Sequence, residues 1–225
     1  MKHFNVAIDG PSGAGKSTLA RRAAEDFDLL YVDTGAIYRT VGLYALETRT
    51  DTKDPEAVAA MLPDMEIRLS YSGDGLQIMR LNRRDVTSAI RRPEVSLAAS
   101  AVSAHPAVRA FLIQTQRGLA RDYSVVMDGR DIGTVVLPNA ALKVYLTASL
   151  EERARRRTRE LEQRGTPRPY ENVLKEMEQR DYEDTHRAIA PLRQAEDAVL
   201  LDTTNLNFQE SLDALEKLMR ERMGL

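Results

Sequence analysis

Short apolar runs bounded by polar residues punctuate the chain. Val6-Ala7-Ile8, Val125-Val126-Met127, Leu142–Leu146 and Val199-Leu200-Leu201 are continuous rather than alternating, the pattern of strands buried on both faces of a parallel sheet. Leu29–Val32 is a fifth candidate. Four of the five lead directly into an aspartate, at Asp9, Asp33, Asp128 and Asp202. Ligands bind at the carboxyl edge of an open parallel sheet, so these carboxylates are expected to ring one crevice. Between the runs the apolar period lengthens to that of helices over Lys16–Asp26, Gly35–Leu46, Glu94–Arg121, Leu150–Gln163, Tyr170–Asp184 and Phe208–Arg222. In the last of these the stripe Phe208, Leu212, Leu215, Met219 reads as a core-facing side. Strand and helix in alternation predict a three-layer α/β fold around a five-stranded parallel sheet.

Two stretches break the alternation. From Glu66 to Thr87 the period drops to two (Ile67, Leu69, Tyr71, then Leu76, Ile78) around Ser72-Gly73-Asp74-Gly75, which predicts an inserted antiparallel hairpin and a small subdomain. Arg153 to Pro169 carries arginine at 153, 155, 156, 157, 159, 164 and 168, followed by the helix breakers Gly165-Thr166-Pro167 and Pro169. That composition suits a mobile, arginine-rich flap, although glutamates at 151, 152, 160 and 162 could equally lace a solvated helix.

Composition narrows the chemistry. At 225 residues there is room for one domain with insertions, and Lys plus Arg (32) nearly balance Asp plus Glu (34). A formal charge of −2 gives no general attraction to nucleic acid or anionic membrane, so any anion site must be local. Cysteine is absent, which excludes disulfides, thiolate nucleophiles, Cys-ligated zinc and iron–sulfur clusters. His3, His105 and His186 are far apart and lack zinc-ligand spacing. There is no apolar run of membrane-spanning length and no signal-peptide pattern after Met1-Lys2-His3-Phe4, so a cytoplasmic protein is expected.

Gly10-Pro11-Ser12-Gly13-Ala14-Gly15-Lys16-Ser17, followed by Thr18, satisfies G-x-x-x-x-G-K-[ST] between a predicted strand and a predicted helix. Such a loop turns successive N–H groups and a helix N-terminus toward phosphate oxygens. Lys16 is expected to reach the β- and γ-phosphates of ATP, with the Ser17 hydroxyl on Mg²⁺. Asp128, ending the third apolar run, is placed to support the metal's water shell. No Asn-Lys-x-Asp guanine reader is present, and the charge balance does not advertise a nucleic-acid surface. A small kinase remains, its flap arginines stabilising charge on the phosphoryl group in flight. Two other readings stay open: a kinase for UMP or a metabolite, and a nucleotide-dependent switch or ATPase.

The segments IDGPSGAGKS, DTGAIYR, LAAS, DGRDIGTVV, QRD and HRAIAPL, in that order over essentially the whole chain, resemble the bacterial-type cytidylate kinases. The resemblance implies ATP-dependent phosphorylation of CMP and dCMP to the diphosphates; a monomer without nucleic-acid or membrane partners is expected. The resemblance also implies one P-loop kinase domain with a core (about 1–33, 88–150, 185–225), a monophosphate-binding insertion (about 34–87) and a lid (about 151–184). By matching positions, Ser100, Arg109 and Asp131 would hold cytosine, and Arg39 and Arg130 the acceptor phosphate. Arg180, Asp184 and Arg187 would meet the sugar and a neighbouring phosphate, with Thr34 and Tyr38 also in the acceptor site. Lys16, Arg130, Arg157 and Asp128 form the expected catalytic set. The chemistry of cytosine agrees: a carboxylate such as Asp131 can accept from the N4 amine, while Arg109 and Ser100 can donate to N3 and O2. Uracil reverses two of these positions and would leave buried groups unpaired.

Overall fold

The computed structural model describes residues 3–73 and 75–225. Met1, Lys2 and Asp74, the last in the expected hairpin turn, lie outside the described residues. In chain order the elements are β1 (Val6–Asp9), α1 (Lys16–Asp26), β2 (Leu30–Asp33), α2 (Thr34–Glu47), α3 (Pro55–Met61), β3 (Ile67–Tyr71), β4 (Gln77–Leu81), β5 (Arg84–Asp85), α4 (Pro93–Ser103), α5 (Pro106–Asp122), β6 (Val125–Gly129), β7 (Leu142–Thr147), α6 (Leu150–Gln163), α7 (Tyr170–His186), β8 (Val199–Asp202) and α8 (Phe208–Met223). All five apolar runs form the five-stranded parallel sheet, in the order β2-β6-β1-β7-β8. The expected α/β fold class is therefore observed. Contacts divide the chain into two compact units: residues up to Leu30 together with Ser124–Leu225, and Tyr31–Tyr123.

In the first unit β1 lies between β6 and β7, with Ile8 opposite both Asp128 and Val144. Every residue of β1 and β6 is buried, which is why these runs carry no polar alternation. Leu212, Leu215 and Met219 of α8 are buried as expected, but Phe208, at the helix's first position beside the Asn207 capping box, is half exposed. The arginine-rich segment is a regular helix, capped by the Ser149 hydroxyl on Glu152 N–H. It ends where the breakers predict, with Gly165 at φ 71°. Ala154 and Leu161 of α6 pack on Val173 and Met177 of α7.

In the second unit the expected single helix Glu94–Arg121 is two, α4 and α5, bent by 101°. Pro106 is the cause: it has no N–H to continue a helix and holds His105 extended at φ −83°, ψ 128°. The His105 ring nitrogen Nε2 lies 2.8 Å from Thr52 O. Helix α3 was not anticipated, although Asp54-Pro55 is a start signal and the Asp54 carboxylate accepts from Glu56 and Ala57 N–H. The hairpin β3–β4 forms, extended by β5. Its second strand is out of phase with the expectation, since Leu76 is exposed and the buried positions are Gln77, Met79 and Leu81. Gln77 is buried because its side-chain amide serves the backbone of Asp33, accepting from its N–H at 2.9 Å and donating to its carbonyl at 3.3 Å. Hydropathy alternation misses a polar residue doing that work.

Candidate active site

The phosphate loop joins β1 to α1 in the first unit. Gly10 has φ 152°, and a Cβ there would lie 1.9 Å from Leu146 O on β7, so only glycine fits. Gly13 has φ 74°, and a Cβ there would meet Met177 Cε at 2.6 Å. Lys16 opens α1, is 5% exposed, and donates from Nζ to Pro11 O at 2.7 Å, folding back over its own loop. Burial, then the Arg130 charge, pulls its pKa down to about 7 against the partial support of Asp128 and Asp184. Ser17 Oγ donates to Asp128 Oδ2 at 2.8 Å, which pairs the two expected metal-side oxygens.

Around this loop the arginines are not equivalent. Arg153 is buried and braces the loop: its guanidinium donates to Ala148 O at 2.8 Å and Ser12 O at 3.1 Å and pairs with Asp181 at 2.7 Å. Arg156 donates to Thr203 O at 2.6 Å. Arg157 is 39% exposed and pairs with Glu160 at 2.7 Å along its own helix. Arg130, after β6, donates from Nε to Asp184 on α7. Arg180 stands one helical turn before Asp184 and adds to the positive field at Lys16 and Asp184. Asp131 is buried, with Arg187 at 3.6 Å. Ser17–Asp128, Arg130–Asp184 and Asp131–Arg187 are thus three polar pairs, and the charges of Asp128, Arg130 and Asp184 are felt at Lys16. Asp202 stands apart from this set: it is exposed and accepts from Thr204 N–H at 2.8 Å, capping a turn.

The second unit holds its own cluster. Asp33 caps α2 through Ala36 N–H at 2.8 Å, while its Oδ2 receives Arg39 at 2.8 Å and Arg91 at 3.2 Å. Burial pushes the Asp33 carboxyl up, but Arg39, Arg91 and the Ala36 N–H together hold it below the usual range. Arg39 Nε is buried and makes no hydrogen bond among the described residues. Thr34 is buried at the start of α2. Arg109 donates to Ser103 O at 3.2 Å, and its guanidinium carbon sits 5.8 Å from the Tyr38 ring centroid. Ser103 in turn donates to Ser100 O at 2.8 Å. The sequence-derived acceptor residues Tyr38, Ser100 and Arg109 are therefore neighbours.

The cytidylate kinase family model matches residues 6–221, almost the whole of this arrangement. The chain belongs to the cytidylate kinase family. Its relatives include the cytidylate kinase of Geobacillus sp. (strain WCH70), 46% identical over 222 residues and covering 99% of both chains. That of Exiguobacterium sp. (strain ATCC BAA-1283 / AT1b) is 48% identical over 220 residues, with 98% of each chain covered. The Streptococcus pneumoniae (strain 70585) cytidylate kinase is 45% identical over 223 residues, covering 99% of this chain and 100% of that one.

Within this member of the family, sequence reasoning passes over Arg91 and Gln77 and assigns no separate task to Asp9, Asp33 or Arg153. Asp9 and Asp33 carried a signal, each ending an apolar run with a carboxylate. Arg153 was one arginine among seven, and only its burial separates it from the others.

Proposed function

We propose that the chain transfers the γ-phosphoryl group of Mg-ATP in line to an α-phosphate oxygen of CMP or dCMP, releasing ADP and CDP or dCDP. A new P–O bond forms to the acceptor oxygen as the bond to the β-phosphate oxygen breaks. The acceptor phosphate is already anionic, so no strong general base is needed and catalysis rests on positioning and charge stabilisation. The observation that carries this reading is Lys16: a buried ammonium at the end of a phosphate loop, under the added positive field of Arg130 and Arg180, is a site short of an anion. Phosphate oxygens would replace Pro11 O as its acceptor.

Arg39 and Arg130 align the acceptor phosphate, and Thr34 and Tyr38 flank it. Asp131, Arg109 and Ser100 read cytosine, while Arg180, Asp184 and Arg187 meet the sugar and its neighbouring phosphate. Arg157 serves transfer only if it leaves Glu160. Ser17 and Asp128 offer two hard oxygens, which suits Mg²⁺. Among the described residues no cluster of three or more His, Cys, Asp or Glu could hold a metal, so phosphate oxygens and water would complete the shell. When bound, the ion neutralises charge on the donor phosphates. No single helix among the described residues is long and apolar enough to cross a membrane. We place the enzyme in the cytoplasm with its free nucleotide substrates, working as a monomer without nucleic-acid or membrane partners.

An ADP-release screen over nucleoside monophosphates tests the reading. CMP and dCMP should be the acceptors, with UMP far behind. Preference for UMP or a metabolite, or ATP turnover stimulated by DNA or RNA and not by any monophosphate, would overturn it.

A further inference from the structure

Asp9 ends β1 immediately before the phosphate loop, and it is 4% exposed. Its two oxygens accept the adjacent N–H groups of Ile132 and Gly133, each at 2.7 Å. These are the residues directly after Arg130 and Asp131. The turn they begin is π-helical over Ile132–Val136, with Asp131 O accepting from both Val135 N–H at 2.9 Å and Val136 N–H at 3.1 Å. The first N–H groups of such a turn have no partner within it, and here Asp9 reaches across from another strand to supply one. Gly133 makes the approach possible: a Cβ there would sit 3.3 Å from Asp9 Oδ2 and 3.2 Å from the stem of Lys143.

We propose that Asp9 is a positioning residue for the acceptor nucleotide: by holding the Ile132 and Gly133 N–H groups it sets the direction in which Arg130 and Asp131 leave the end of β6. The proposal rests on the roles given above to Arg130 and Asp131. A buried carboxylate is a costly group to place at this point of the sheet. Burial pushes the Asp9 carboxyl up to about 6 even though two hydrogen bonds and Lys16 pull it down. An apolar residue there would leave the Ile132 and Gly133 N–H groups buried without an acceptor. A carboxylate offers what no other side chain of its length does, two acceptors and no donor, matched to two neighbouring N–H groups. Because Asp9 is covalently joined to Gly10, the same residue ties the acceptor-side loop to the donor-side loop.

The test is Asp9→Asn, which keeps one acceptor but turns an NH₂ against the other N–H. With the variant folded, KM for CMP should rise about tenfold or more, as expected for a disrupted charged hydrogen bond. The ratio of kcat/KM for CMP over UMP should fall, while KM for ATP stays within about twofold. Wild-type CMP kinetics in the variant, or equal losses for CMP and ATP with the CMP to UMP ratio unchanged, would overturn the proposal. Should Asp9→Asn fail to fold, Gly133→Ala, which presses on Asp9 Oδ2, is measured in the same way: a loss selective for CMP supports the proposal and an even loss overturns it. Failure of the wild-type chain to form CDP would sink the functional reading as well. CDP formation without a CMP-selective loss sinks this proposal alone.

Discussion

Arg130 donates through Nε to Asp184 Oδ2 at 2.7 Å, joining the loop after β6 to the last turn of α7. The two side chains are 19% and 10% exposed, so each largely depends on the other for its solvation. Burial pushes the Asp184 carboxyl up, but Arg130, with Arg180 and Arg187, outweighs it and holds the group below its ordinary value of 3.8. Asp184→Ala would leave the Arg130 cation buried without its partner and should lower unfolding free energy by about 3 kcal/mol in urea titrations at neutral pH. A depressed carboxylate stabilises the fold above its unfolded value and loses that contribution as pH falls through the folded one. The gap between wild type and variant should therefore close on acidification below 3.8. A gap that stays constant into strong acid would contradict the assignment.

Lys16 yields a prediction with the opposite charge. Its ammonium is held down to about 7, so near neutrality a fraction of the empty enzyme carries Lys16 uncharged. Phosphate favours the charged form, so ATP binding should take up a proton, and affinity should weaken as pH rises above that value. Calorimetry in two buffers of different ionisation enthalpy reads the uptake directly. Lys16→Ala should abolish it and reduce turnover at least about 100-fold, the scale for removing one preorganised stabiliser, with the circular dichroism unchanged. Equal proton uptake by the variant, or near-normal turnover, would remove Lys16 from this role.

Asp131→Ala separates base reading from phosphoryl transfer. Loss of the N4 acceptor should lower kcat/KM for CMP by about 10- to 100-fold while leaving ATP affinity close to wild type, and the CMP to UMP preference should shrink. Steady-state kinetics with both acceptors decide it. An unchanged preference would mean that Asp131 does not face the pyrimidine.

Gly42 gives a test of packing in the second unit. A Cβ there would lie 2.7 Å from Ala99 N and 3.1 Å from Ala98 C, which are backbone atoms of α4. Gly42→Ala must push α2 and α4 apart and should cost about 1–3 kcal/mol, seen as a lower thermal midpoint. Helix propensity alone would favour the alanine, so stabilisation would show that the two helices yield easily.

Much of this was legible before any coordinates, because the cues were local. Continuous apolar runs located all five parallel strands, and the glycine–lysine–serine spacing located the phosphate loop between β1 and α1. The misreadings share a different cause. Pro106 sits inside an apolar period that continues on both sides of it, so hydropathy alone ran α4 and α5 together. Gln77 occupies a core position because the backbone of Asp33 needs a partner there, which no pattern along β4 can announce. Arg153 and Arg157 are indistinguishable as letters, yet the first is walled in beneath the phosphate loop and the second lies along the surface of α6. Arg91 shares a carboxylate oxygen with Arg39 across 52 positions of sequence, a relationship that only folding creates.

The methyl end of Met177 occupies the space over Gly13. A pliable thioether thus leans on the bend that is to receive the triphosphate, beside the Arg153 guanidinium that holds Ser12 O. The stiffness of that bend can therefore be tuned by the bulk of one uncharged side chain on α7, independently of every group that touches a nucleotide.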